Sequence, residues 1–330
     1  MNRIGRIFVA VLVIVVGLGV IHHHRQSQAR SEPAPGPVAG ASAFTPGDYG
    51  GSIVTADGRT RTYILHVPAG YSATRAYPLV LVFHGGMGTG SRVQKSTNFN
   101  AKADAKGFIV VYPDGIGHNW NDGRGTANPT IDDVGFVRQL IANLKTRLPI
   151  DANRIYATGV SNGAHFAQRL GCDLADELAA IGSDIGAMPT NLRPRCHPAR
   201  PIAVVGIQGA ADPISPLNGG EVASLAAIGI GRGGLVESAT ATMNFWGSVN
   251  GCDPTPTLVR EPPRVNDGTS VDRYTFSGCK PDAPVVYYIV QGMGHAWPPH
   301  SQPLPQITGP TSNNINATDV MWDFFSSVSR

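Results

Sequence analysis

The sequence predicts an α/β fold: a doubly wound, mostly parallel sheet in a single domain spanning residues 48–330. Three observations carry this. β-runs alternate with helix-period segments along the body of the chain. Several of those β-runs are apolar throughout, as strands covered on both faces must be. No second linker or internal repeat interrupts the stretch, which is long enough for one large core.

The chain opens on Met1-Asn2-Arg3-Ile4-Gly5-Arg6 and an apolar run from Ile7 to Ile21. Two arginines before about fifteen apolar residues match a secretory signal, and the run is short for a spanning helix. Residues 1–29 are therefore expected to be a signal peptide. An uncleaved anchor is the competing reading, since His22-His23-His24-Arg25 closes a strongly hydrophobic run. Ala29 and Ala43 both end small-residue cleavage patterns. Residues 30–47 are mostly Pro, Ala, Gly and Ser without apolar periodicity, and read as a flexible linker.

The formal net charge is +3, spread along the chain. Without a basic stripe and interleaved aromatics, nucleic acid is not an expected partner. Membrane contact is expected only if the first segment stays uncleaved, and the oligomeric state is left open. Four cysteines, Cys172, Cys196, Cys252 and Cys279, lie in the body of a chain expected to be exported, which favours disulfides. No Cys-x-x-Cys pair is present, so a zinc site is not expected.

Strands are expected over 62–67, 78–83, 108–112, 155–158, 202–207 and 285–290, and helices over 134–148, 162–170, 238–249 and 317–328. In the last helix Ala317, Val320, Met321, Phe324 and Val328 share one face, suited to packing on a sheet. The strand over 155–158 runs into Gly159-Val160-Ser161-Asn162-Gly163 and then a helix. That is the strand–turn–helix setting of a nucleophile elbow. Serine must sit there in a strained turn, so its neighbours two positions away need to be glycine. The turn also leaves the Asn162 N–H at a helix N-terminus, facing a developing oxyanion. In a chain with 40 glycines the pattern alone is weak, and its partners must support it.

Serine needs a base, and the base an orienting carboxylate, in the order Ser, Asp or Glu, His, each after a strand's carboxyl end. Asp212 follows the strand ending near Gln208, in a loop of small residues; Asp184 is the reserve candidate. His295 follows the strand ending at Val290, with Gly292 and Gly294 leaving room for its imidazole. His197 precedes the Asp212 strand and His300 sits among prolines, so both fit less well. Phe83-His84-Gly85-Gly86-Met87-Gly88 follows a buried strand and offers exposed backbone for a second oxyanion N–H, from Gly86 or Met87. No Gly-Lys-Ser/Thr follows, against a phosphate-binding loop.

These segments, with Tyr112-Pro113-Asp114-Gly115, Trp120-Asn121 and Asp132-Asp133-Val134-Gly135-Phe136, span nearly all of the chain after the linker. Together they resemble the secreted esterase family that groups polyhydroxybutyrate depolymerase-like enzymes with carbohydrate esterase family 1 feruloyl and acetyl xylan esterases. The resemblance implies an α/β-hydrolase fold, serine esterase chemistry on carboxylic esters without metal or organic cofactor, and Ser161, Asp212 and His295 as nucleophile, acid and base. It also supports pairing Cys172 with Cys196 and Cys252 with Cys279, each local in sequence. His84, Trp120 and Trp297 are candidate cleft residues, although both tryptophans suit a core equally well. The chain departs from the family at Gln208-Gly209-Ala210-Ala211, where His-Gly-Thr is usual, altering the polarity beside Asp212. No polymer-binding domain or threonine-rich linker follows, so a dedicated insoluble-polyester depolymerase is the lesser expectation. The alternatives are a prolyl-oligopeptidase-like serine peptidase and a non-catalytic binding protein on the same scaffold.

Overall fold

Six parallel strands form the middle of the sheet, and antiparallel strands extend it on both sides. The computed structural model describes residues 44–223, 233–300 and 304–330. The expected signal segment and residues 30–43 of the linker lie outside them. The linker's last residues are already part of the domain: Phe44 is buried with its ring 5.0 Å from Tyr49.

The strands are β1 Gly47–Val54, β2 Thr60–Val67, β3 Tyr77–Phe83, β4 Ile109–Pro113, β5 Ile150–Val160, β6 Ala180–Asp184 and β7 Ala203–Gly209. A short hairpin of β8 Gly220–Glu221 and β9 Leu235–Val236 follows, then β10 Thr257–Arg260, β11 Ser270–Thr275 and β12 Val285–Gln291. The helices are α1 Gly90–Thr97, α2 Phe99–Lys106, α3 Asp133–Lys145, α4 Asn162–Asp173, α5 Ala239–Val249, α6 Pro305–Thr308 and α7 Ala317–Ser326. The main sheet runs β1-β2-β4-β3-β5-β6-β7-β12-β11-β10, parallel from β4 to β12.

All seven residues of β3 are buried, because the sheet is covered on both faces. Leu79, Leu81 and Phe83 belong to one core with Phe136 and Leu140 of α3, Phe166 of α4 and Trp246 of α5. Val80 and Val82 point the other way, into a core with Val93, Phe99 and Ala103 of α1 and α2 and Met321 and Phe325 of α7. Period-two alternation along one apolar strand thus feeds two separate layers.

The six expected strands and four expected helices are present. The sequence reading did not foresee β1, β6, β8, β9, β10, β11, or helices α1, α2 and α6. The two disulfides are Cys172–Cys196 and Cys252–Cys279. The first ties the end of α4 to the segment before β7; the second ties the segment after α5 to the one entering β12.

Candidate active site

Ser161, Asp212 and His295 follow β5, β7 and β12 at the carboxyl edge of the parallel sheet. Ligand chemistry gathers at that edge in open α/β folds. Ser161 has φ 56° and ψ −119°, a conformation that a residue bearing a side chain holds only under constraint. Its N–H donates to the Asp184 carbonyl at 3.0 Å, and its carbonyl accepts the N–H groups of Ala164 and His165, each at 2.9 Å. Both flanking glycines are sterically required. A Cβ on Gly159 would lie 2.5 Å from the Gly163 carbonyl, and one on Gly163 would lie 2.3 Å from the Phe83 carbonyl oxygen.

Asp212 and His295 are in contact: imidazole Nδ1 donates to Asp212 Oδ2 at 2.8 Å, and both residues are buried. The carboxylate is fixed from the other side by the N–H groups of Ile214 (2.8 Å) and Ser215 (2.9 Å) on Oδ1. With Nδ1 carrying the proton, Nε2 is left as the acceptor. Gln208, at the departure from the family pattern, donates to the Ser215 carbonyl at 2.9 Å and stands 3.5 Å from Asp212 Oδ2. The polar group beside Asp212 is therefore an amide that also braces the loop. Gly294 serves a purpose different from the one expected of it. A Cβ there would lie 2.2 Å from the Thr308 carbonyl oxygen, so glycine lets the His295 loop seat on the α6 segment.

Asp184, the reserve acid, ends β6 fully buried, and neither carboxylate oxygen has a hydrogen-bond partner among the described residues. Burial, and then the nearby charge of Asp212, raise its pKa well above the ordinary 3.8. A carboxyl that meets no donor among the described residues is not placed to orient an imidazolium.

The His84 loop lies against the elbow: a Cβ on Gly85 would stand 3.4 Å from Ser161 Cβ, and one on Gly86 would stand 3.9 Å from Asn162 Cβ. Met87 is unsuited as the second donor, because its N–H already donates to the His118 carbonyl at 2.9 Å. Gly86 is left of the two candidates. The Asn162 N–H sits at the first position of α4, where a helix leaves donors free.

None of the three expected cleft residues lines a cleft. His84 is 1% exposed: its Nδ1 donates to the Gly85 carbonyl at 2.7 Å, and its Nε2 accepts the Gly115 N–H at 3.0 Å. That pairing fixes a neutral ring, and burial lowers its pKa to about 4. His84 thus pins the loop rather than facing substrate. Trp120 is fully buried, stacked on Phe166 with 5.2 Å between centroids, and its indole N–H donates to the His84 carbonyl at 3.0 Å. Trp297 is fully buried under α7, where its N–H donates to Thr318 Oγ1 at 3.0 Å. Both indoles follow the core reading.

The Asp132-Asp133 pair is structural too. Asp132 caps α3 by accepting the Gly135 N–H at 2.8 Å. Asp133 is buried with Arg61 at 2.7 Å and accepts the Asn121 N–H at 2.7 Å. The sequence reading missed Asp122 and Arg124, a buried ion pair at 2.7 Å whose carboxylate also accepts from Asn162 Nδ2 at 2.6 Å. It missed as well a small apolar cluster of Ala187, Ile214, Val222 and Val236 packed beside the Asp212 loop. Only the Asp-Gly-Arg spacing after Trp120-Asn121 hinted at the former.

The Esterase PHB depolymerase family pattern matches residues 61–213. The chain is 31% identical over 278 residues to the "Putative esterase NocK" of Nocardia uniformis subsp. tsuyamanensis, covering 82% of this chain and 80% of that protein. It is 29% identical over 242 residues to feruloyl esterase B of Piromyces equi, covering 72% of this chain and 42% of that longer protein. Among solved structures, the acetyl xylan esterase from Aspergillus awamori superposes with a TM-score of 0.56 at 14% identity, over 84% of this chain and 98% of that one, a likeness of fold. Fold, elbow and relatives agree: the chain belongs to the polyhydroxybutyrate depolymerase-like and carbohydrate esterase family 1 group of α/β-hydrolases, and it is a serine-type carboxylic ester hydrolase.

Proposed function

We propose an extracytoplasmic esterase in which Ser161, His295 and Asp212 act as one catalytic unit on feruloyl- or acetyl-type esters of plant polysaccharides or on short hydroxyalkanoate esters. The hydrogen-bonded Asp212–His295 pair, at the same sheet edge as the constrained Ser161, carries the reading. In the first half-reaction Ser161 Oγ attacks the ester carbonyl carbon while His295 Nε2 takes the hydroxyl proton. The tetrahedral oxyanion is met by the N–H groups of Asn162 and Gly86. Collapse breaks the ester C–O bond, and the imidazolium returns the proton to the departing alcohol. Water then attacks the acyl-enzyme by the same route, releasing acid and free serine. Asp212 holds the ring in the Nδ1–H tautomer throughout and stabilises the imidazolium.

Two disulfides support an oxidising compartment, in line with the signal-like first segment. The names of the relatives support feruloyl and acetyl esters as the first substrates to try. A panel of p-nitrophenyl acetate, methyl ferulate, acetylated xylan and hydroxybutyrate oligomers tests this. Turnover of the aryl acetate with preference for one of the other three is expected. Cleavage of prolyl peptides without ester turnover would favour the peptidase reading instead.

A further inference from the structure

The Asp122–Arg124 pair lies between the peptide that follows Ser161 and the β8–β9 strands packed on the Asp212 loop. On one side, Asp122 Oδ2 accepts from Asn162 Nδ2 at 2.6 Å, while Asn162 Oδ1 accepts the Trp120 N–H at 2.8 Å. The Asn162 side chain is thereby fixed at both ends, and with it the peptide that follows Ser161. On the other side, Arg124 Nη1 donates to the Gly233 carbonyl at 2.8 Å. Gly233 leads through Gly234, whose carbonyl accepts the Val222 N–H, into β9, whose Leu235 carbonyl accepts the Thr190 N–H. Val222 and Val236 then pack on Ile214, whose own N–H holds Asp212.

The centre of this chain of contacts is tight. Arg124 Nε and Nη2 reach Asp122 Oδ2 at 2.9 and 2.7 Å, and the Arg124 N–H reaches Oδ1 at 3.0 Å. Both residues are buried, Asp122 completely. Such a pair is a costly way to hold a loop that apolar side chains could pack. A planar guanidinium can grip a carboxylate with two nitrogens and still present a third to a carbonyl; an ammonium has no such fork.

We propose that Arg124 is a positioning residue for ester hydrolysis: through Asp122 it locks the Asn162 peptide, and through Gly233 it ties that peptide to the β8–β9 hairpin packed on the Asp212 loop. The nucleophile side and the acid side are thereby braced as one unit. The inference rests on the reading of Ser161 and Asn162 as the reacting centre.

The test is Arg124→Lys, with kcat for p-nitrophenyl acetate and methyl ferulate expressed per active site titrated with a fluorophosphonate. Misalignment on the ångström scale should lower kcat about ten- to a hundredfold for both esters, with KM changing less. A purely structural arginine would lower the titrated fraction or the Tm and leave kcat per titrated site at the wild-type value, and that result overturns the proposal. If Arg124→Lys does not fold, Asp122→Asn, which keeps shape and removes the charge, is read the same way: a drop of about tenfold or more supports the proposal and an unchanged value overturns it. Ser161→Ala run alongside separates the two layers. If that variant retains turnover, the reading of the site fails; if it is inactive while Arg124→Lys is normal per site, only the role of Arg124 fails.

Discussion

Replacing Asp184 by Asn tests whether a buried carboxyl beside the site is a structural liability or a working acid. Both oxygens of Asp184 lack partners among the described residues, and its pKa is raised by burial and by Asp212. An acid with a raised folded pKa keeps its proton in the native state above the ordinary 3.8, whereas the unfolded chain releases it there. Unfolding then releases one proton, so stability falls as pH rises from about 4 toward the folded pKa, at about 1.4 kcal/mol per pH unit. Asp184→Asn has no such proton, and comparing variant with wild type cancels the titrations that are not coupled to Asp184. Between pH 5 and pH 7 the difference should shift in the variant's favour as pH rises, with a ceiling of about 3 kcal/mol set by one proton over two pH units. Urea unfolding at the two pH values measures it. Esterase activity should stay near wild type, while Asp212→Asn should lose several orders of magnitude. A stability difference that does not change with pH, or a loss of activity matching that of Asp212→Asn, would refute the reasoning.

Three further outcomes are expected. His84 and His165 are buried neutral, with pKa values lowered to about 4 chiefly by burial, so they take up protons on unfolding and their stabilisation is lost as pH falls from about 6.5 toward 4. His165→Gln should flatten the acid limb of a Tm-against-pH curve. Trp120→Ala should cost about 3–5 kcal/mol of stability, from cavity creation, rather than acting on KM alone; chemical denaturation with Michaelis kinetics on the remaining folded enzyme distinguishes the two. Cys252→Ser with Cys279→Ser opens a loop with a sequence separation of 27, which should cost about 3 kcal/mol in the urea midpoint analysis.

The parts of the fold legible in the sequence are those governed by one dominant force. Central strands such as Tyr77–Phe83 are apolar because both faces are covered, and the sequence carries that directly. Strand β6 was hidden by its own composition: Ala180-Ile181-Gly182-Ser183-Asp184 reads as a polar turn, yet Gly182 is small because Met321 and Phe325 press on it. Edge strand β10 is exposed at all four positions, so no alternation marks it. At the site, strand order and loop position bring Asp212 forward over Asp184, and it is the Asp212 carboxylate that meets the His295 ring. The cleft assignments failed for a chemical reason. Indole and imidazole are amphipathic, and sequence does not distinguish an N–H bonded to a buried carbonyl from one facing a ligand. Met87 failed similarly, because its N–H is engaged by His118, a residue 31 positions away in the numbering.

The central claim is that Ser161 is the acylated nucleophile, and mapping a covalent adduct tests it most directly. Folded wild-type protein is treated with a fluorophosphonate, digested and sequenced by mass spectrometry, with Ser161→Ala, Asp212→Asn and His295→Ala treated in parallel. The account predicts one phosphonyl group on Ser161, loss of ester turnover in step with its formation, no adduct in Ser161→Ala and much slower labelling in the other two. An adduct on a different serine, or full turnover by purified Ser161→Ala protein, would contradict it.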